Sequence, residues 1–223
     1  MKRPLIMFGD TRSAADIELL RSRRWGRMFA SSRPTPFPFE AWGFDNGAFK
    51  VWQDAGFPAD LTLDDWCILF SVKEFERRLA EAQDADDAPY LAVVPDIQTS
   101  RASLAYSVNW RRDLINGWPW YLAVQDGMEV SEVADVLHMF AGLFLGGSDK
   151  FNLTAYRWAK LAHKHGRKFH YARAGTPRKV RHAFQVGADS LDSTFACWTK
   201  ERTRELSAVW DGLGLQERIV RTF

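Results

Sequence analysis

The sequence predicts a compact (β/α)8 barrel, and three observations carry that prediction. Eight short apolar runs of strand character recur along 223 residues. Amphipathic stretches of helical period lie between most of them, and strand–helix alternation builds a parallel sheet with right-handed crossovers. Several runs also end in a polar residue or glycine: Phe44 then Asp45, Pro95 then Asp96, Val124 then Gln125, Leu145 then Gly146-Gly147, and Leu191 then Asp192. A closed barrel needs roughly 200 residues or more, so 1–223 is expected to form one domain of this kind.

The strand runs are 5–8, 27–30, 41–44, 90–94, 120–124, 143–145, 168–171 and 190–191. The first helix assigned is 64–82, with Thr62 as its candidate cap. Helical stretches follow at 99–114, 131–140, 154–165 and 177–186, and Pro177 suits a first helical turn. A helix from 195 to 209 begins the C-terminal helical segment, 197–223. Pro34, Pro36 and Pro38 bar a helix from the loop 31–40, which reads as a lid, a substrate-facing loop or a plain connector.

Composition narrows the class. Hydrophobic content of 46% and charged content of 26% describe an ordinary globular chain. Gly9-Asp10 interrupts the first apolar run too soon for a signal peptide, and the longest apolar run, 137–147, is too short to span a bilayer. A cytoplasmic protein is expected. Cys67 and Cys197 offer neither a metal motif nor a disulfide framework and read as two buried thiols. The five histidines lack metal spacing, so no metal and no cofactor are expected. Residues 150–204 carry thirteen Lys or Arg against three acids, the footprint of a phosphate-rich partner or else a solvated helix surface. Within it, Arg173, Arg178, Lys179, Lys200 and Arg202 are the candidate contacts to a nucleic-acid backbone.

In a barrel the polar strand endings converge on one mouth, the face where active sites of this fold are built. A pair of carboxylates there can displace a base at an anomeric carbon, one attacking C1′ while the other manages protons. A carboxylate beside a carboxamide suits the edge of guanine, which offers N1–H and N2–H donors and the O6 acceptor. Gly146 and Gly147 allow close backbone approach to a planar ligand. Asp189 reads as structural, and Asn46 as tolerant of a left-handed turn before Gly47. Phe49 or Tyr106 could sandwich a base. Trp110, Trp118, Trp120 and Trp198 read first as packing residues and second as stacking platforms.

Over residues 41–196 the chain resembles the tRNA-guanine transglycosylase superfamily. Arg173-Ala-Gly-Thr-Pro177, a helix, and Gly187-Ala-Asp-Ser-Leu-Asp192 resemble that family's Gly-x-Gly-Thr-Pro and Gly-x-Asp-x-x-Asp segments in motif and spacing. The resemblance makes Asp192 the nucleophile. It makes Asp45, in Asp45-Asn-Gly-Ala-Phe49, the proton-handling carboxylate. Asp96 and Gln125 take the base-reading positions, and Gly146 and Gly147 resemble the backbone segment that contacts the base. The family's tRNA enzymes carry a three-Cys, one-His zinc site after the nucleophile, whereas here only Cys197 follows Asp192. That departure makes the chain most similar to the short phage and bacterial DNA-guanine transglycosylases. The resemblance therefore implies a pentosyltransferase that exchanges guanine in DNA for a 7-deazaguanine such as preQ0, in a bacterial or phage-infected cytoplasm. Its implied partners are DNA, with tRNA second, and the free deazaguanine base. Homodimerisation is left open, because the family's tRNA enzymes dimerise partly through the zinc region. The rival readings are a tRNA or nucleoside-level exchange enzyme, a hydrolytic glycosylase, and a catalytically idle nucleic-acid-binding barrel.

Overall fold

Alternating side chains along eight strands build two apolar layers, one inside a barrel and one around it. The computed structural model describes residues 3–58, 61–193 and 199–221. Strands β1 (Leu5–Gly9), β2 (Gly26–Phe29), β3 (Trp42–Phe44), β4 (Leu91–Val93), β5 (Trp120–Val124), β6 (Gly142–Leu145), β7 (Lys168–Tyr171) and β8 (Ser190–Ser193) pair in chain order, all parallel, and β8 closes onto β1. Helices between the strands cover the outside: α1 (Ala14–Arg23), α2 (Ala48–Asp54), α3 (Leu63–Leu69), α4 (Val72–Gln83), α5 (Ser103–Asp113), α6 (Val130–Val136), α7 (Ala155–Lys164) and α8 (Pro177–Gln185). After β8, α9 (Lys200–Arg221) packs against α8 and sets Trp210 edge-on to Trp25. The expected (β/α)8 barrel is the observed fold.

Successive strand residues point to opposite faces. Met7, Met28, Val93, Tyr121 and Ala123 fill the barrel interior, while Ile6, Phe8, Phe44, Leu122 and Phe169 join the larger core beneath the helices. Close quarters inside the barrel explain Gly43, where a Cβ would collide with the Met28 sulfur. Trp118 and Trp120 pack edge-on to Phe44 at 5.8 and 6.4 Å, and Trp110 sits against Phe75 at 5.3 Å. All three tryptophans are therefore packing residues; Trp198 lies outside the described residues.

Four local expectations need correction. Residues 64–82 form two helices, because Ser71 caps a new one by accepting the Glu74 N–H at 3.2 Å. Thr62 does cap the first, α3, through a reciprocal box with Asp65. Two helices also precede residue 64: α1, which buries only Leu20, and the short α2, which opens at Gly47 in a left-handed conformation (φ 81°). Third, Cys67 is exposed on α3, next to the buried Trp66, while Cys197 lies outside the described residues. Last, the described part of the 195–209 stretch turns helical at Lys200, and 195–198 lie outside the described residues.

The loop 31–40 is stapled to the barrel. Arg27 on β2 and Glu40 form a fully buried ion pair, and Arg27 also donates to the carbonyls of Thr11 (3.0 Å) and Thr35 (2.8 Å). Glu40 in turn accepts the Phe37 N–H at 3.0 Å. Among the described residues no helix is long and apolar enough to cross a membrane.

Candidate functional site

The C-terminal ends of the strands surround a cavity of about 380 Å3. This size lies in the range of small-molecule sites, roughly 300–1,000 Å3. Its floor is apolar, made by Met28, Val93 and Phe144 from the barrel interior. Its walls carry Asp45, Asp96, Asp192, Gly146 and Arg173. Asp45 directly follows β3, Asp96 follows β4 by three residues, and Asp192 lies within β8. Three carboxylates far apart in sequence thus share one chamber.

Asp192 is one-sixth exposed, with 17% of its side chain accessible. Its Oδ1 accepts the Arg173 N–H at 3.0 Å and faces His170 Nε2 at 2.9 Å. No hydrogen bond to Oδ2 is formed among the described residues. Asp45 Oδ1 accepts the Gly47 N–H at 2.7 Å in a tight turn. Burial pushes the Asp45 carboxyl above the usual range, and the negative charge of Asp192 adds to that rise; the Gly47 bond and the Arg78 cation oppose it. Arg78 reaches this turn from α4, donating to the carbonyls of Asp45 and Asn46.

Asp96 is 1% exposed and surrounded by amides. Asn46 Nδ2 donates to its Oδ1 at 2.6 Å; Gln98 Nε2 (2.9 Å) and Gln125 Nε2 donate to its Oδ2. Burial raises its carboxyl to about 7, against the lowering pull of the Asn46 and Gln125 bonds. Gln125 stands behind Asp96, fully buried and outside the cavity lining. Its Oε1 accepts the Thr99 N–H at 3.1 Å and the Gly147 N–H at 2.7 Å. The carboxamide is thus occupied with holding Asp96 and the β6 turn. Gly146 lines the cavity, but its N–H bonds the carbonyls of Val124 and Phe144, each at 3.0 Å.

Arg173 belongs to the chamber. Its guanidinium lies 4.6 Å from the Phe49 ring centroid and donates to the Gly147 carbonyl, and its backbone adopts a left-handed φ of 55°. Burial lowers its pKa and the carboxylates of Asp192, Asp149 and Asp96 raise it back in part. Phe49 lines the cavity, whereas Tyr106 packs on Trp110 at 6.3 Å away from it.

The basic stretch does not form one surface. Arg178 is exposed in the first turn of α8, and Lys179 beside it pairs with Asp149 at 2.7 Å. Both lie on the mouth side, because α8 starts where β7 ends. Lys164, Arg167 and Lys168 lie at the opposite foot, where Lys168 pairs with Asp189 at 3.2 Å. Arg202 is half-buried on α9, and the side chain of Lys200 lies outside the described residues. Asp189 also accepts the Phe169 N–H at 2.9 Å and faces His163 Nε2 at 3.1 Å, which makes it a structural tie at the foot.

Four residues in or around the chamber had no functional role in the sequence reading. His170 is fully buried at the centre of β7, stacked on Phe144 at 4.7 Å and bonded to Ser190 and Asp192. Gln98 and Arg78 hold Asp96 and the Asp45 turn as described above. Asn46 is the fourth: the left-handed residue of its turn is Gly47, and Asn46 instead ties β3 to β4 through Val94 O (2.7 Å) and Asp96. Only Asn46 left a signal, since a buried-strand end followed by Asn and Gly is a local turn former. The others depend on barrel register.

Among the described residues no group of three or more His, Cys, Asp or Glu side chains is placed to hold a metal ion. No protein-family model matches the chain, and no curated protein matches it significantly.

Proposed function

We propose that this chain is a guanine transglycosylase that acts on DNA and exchanges guanine for a 7-deazaguanine base through a glycosyl-enzyme ester on Asp192. The observation that carries the reading is the shared chamber of Asp45, Asp96 and Asp192. Each of the three has a different environment, and differing environments assign different acid–base roles.

Asp192 is the nucleophile. Its Oδ2 attacks C1′, the C1′–N9 bond breaks, and the electron pair leaves with the purine. Asp45, whose burial raises its carboxyl above the usual range and so favours the protonated form, gives its proton to the departing base and retrieves one from the incoming base. Asp96 accepts from the N1–H and N2–H groups of the bound base, in a setting already built from amide donors. The apolar floor of Met28, Val93 and Phe144 covers the ring from below. A base inside a stacked duplex cannot enter such a chamber, so the target nucleotide is flipped or taken from a single strand. The exposed Arg178 at the rim faces the strand that delivers it.

The test is exchange of radiolabelled guanine into duplex DNA, single-stranded DNA and tRNA. Exchange into DNA supports the reading, and exchange into tRNA alone replaces its substrate. Release of guanine without incorporation makes the chain a hydrolytic glycosylase. No release and no incorporation leaves a binding barrel and overturns the proposal.

A further inference from the structure

Asp192 holds two hydrogen bonds on the same oxygen, and this asymmetry points past the roles assigned above. The Arg173 N–H reaches Oδ1 from the β7–α8 turn, and His170 Nε2 reaches it from within β7. An ionised carboxylate only accepts, so Nε2 carries the proton and donates. On the other side of the ring, Nδ1 lies 2.8 Å from Ser190 Oγ, and the ring face lies flat on Phe144 with an interplanar angle of 5°. Register places Phe144, His170 and Ser190 side by side on three adjacent strands. The imidazole is fixed on both edges and one face, and it is wholly inaccessible.

We propose that His170 is a positioning residue that turns Asp192 so that only Oδ2 meets C1′, and that it also keeps the covalent intermediate short-lived. The inference rests on the transglycosylase reading. It concerns a residue that touches neither the sugar nor the base.

The first half of the role is geometric. With Oδ1 tied at two points, rotation of the carboxylate is prevented and one oxygen is aimed at the sugar. Loss of such aim, of about 1 Å, costs on the order of 100-fold in rate. The second half is energetic. Before attack, Nε2–H bonds a carboxylate anion. After Oδ2 has bonded to C1′, the same N–H faces the carbonyl oxygen of a neutral ester. Hydrogen bonds to an ionised acceptor are roughly twice as strong as those to a neutral one. His170 therefore favours the free carboxylate over the ester and helps Asp192 to leave when the incoming base attacks C1′. In that step the C1′–Oδ2 bond breaks, its electron pair returns to Asp192, and the incoming base loses its N9 proton to Asp45.

Three variants separate this role from mere packing. In His170→Gln the side-chain amide can take the place of Nε2–H and still reach Asp192. In His170→Asn the amide matches the Nδ1 edge, so it keeps Ser190 and loses Asp192. In His170→Phe both bonds are lost and the stack on Phe144 is kept. The experiment measures guanine exchange kinetics and the fraction of enzyme found as a denaturant-stable DNA adduct at steady state. The expected result is a kcat lower by about 10- to 100-fold in the Asn and Phe variants, KM for DNA unchanged within about threefold, and an adduct fraction above that of the wild type. The Gln variant recovers most of the kcat and a low adduct fraction. If the Asn and Phe variants turn over like the wild type, the inference fails while the function stands. If adduct and turnover fall together in all three variants, or KM absorbs the loss, His170 is a packing residue and the inference also fails. A wild type that neither exchanges guanine nor forms an adduct overturns the function itself, and this role with it.

Discussion

Two aspartates three residues apart sit at opposite ends of β8, and each faces a histidine. At the foot, the partly buried Asp189 faces the more exposed His163, with Lys168 beside it. Burial works to raise its carboxyl, but the Phe169 N–H, His163 and Lys168 together hold it below the ordinary range. Every contact it makes ties one end of the barrel together. At the mouth, Asp192 bonds a histidine with no exposure at all and lines a chamber that holds two further carboxylates. The residue types are the same, but the surroundings convert one pair into a clasp and, among the described residues, leave the other with an oxygen to spare. In barrels, polar residues at the N-terminal end serve stability and those at the C-terminal end serve chemistry. On the proposed function that division runs along a single strand.

The sharpest way to break the comparison is to remove each carboxylate in turn. Asp192→Ala is expected to lower guanine exchange by about 10,000-fold or more, a loss typical of a removed nucleophilic or triad group. Asp189→Ala is expected to leave exchange within a few-fold of the wild type and to lower stability by about 1–3 kcal/mol, since the Phe169 N–H loses its acceptor. Exchange assays beside urea midpoints check both, and equal loss of activity in the two variants would erase the distinction. A smaller effect follows from Asp96. Its carboxyl is raised to about 7 by burial, whereas an unfolded aspartate titrates near ~3.9. Between those values the folded chain keeps a proton that the unfolded chain has released, so stability falls as pH rises from about 4 to 7 and is level above that. The difference in urea midpoint between wild type and Asp96→Asn should therefore shift against the wild type from pH 5 to pH 8. On the proposed function ionised Asp96 is the form that accepts from a base, so KM for guanine should fall as pH rises across the same window, by up to about tenfold per pH unit. The smallest effect concerns charge at the rim. Arg178→Ala should weaken DNA binding by severalfold and reduce its salt dependence by about one counterion, read from affinities at several salt concentrations.

The strands were legible because a strand buried on both faces needs continuous apolar residues, and eight such runs stood out. The chamber carboxylates were legible as polar residues that break those runs. Helix α1 was not, because it buries only Leu20 and shows little apolar periodicity. The break between α3 and α4 did have a signal, Ser71 three residues before Glu74, but a continuous apolar pattern across it masked the cap. His170 gave no signal at all. Its partners lie 20 and 22 residues away, and only the closed register of β7 with β8 brings them to it. Gln125 shows the converse. Its place at a strand end was legible, yet the structure occupies both ends of its amide with Asp96, Thr99 and Gly147. The count of basic residues in 150–204 also misled, since helices that run from mouth to foot separate charges that are close in sequence.

The buried Arg27–Glu40 pair has a consequence for how this chain can change over generations. Removing either partner strands the other charge in the core and costs about 3–5 kcal/mol, while replacing both with apolar residues avoids the stranded charge and gives up the bonds to the Thr11 and Thr35 carbonyls and the Phe37 N–H. The two positions are therefore locked to each other both by the depth of the intermediate step and by the backbone groups the pair holds. A lineage that acquired them would keep them, and the proline-rich loop they fasten would be free to vary in sequence but not in its anchorage to the barrel.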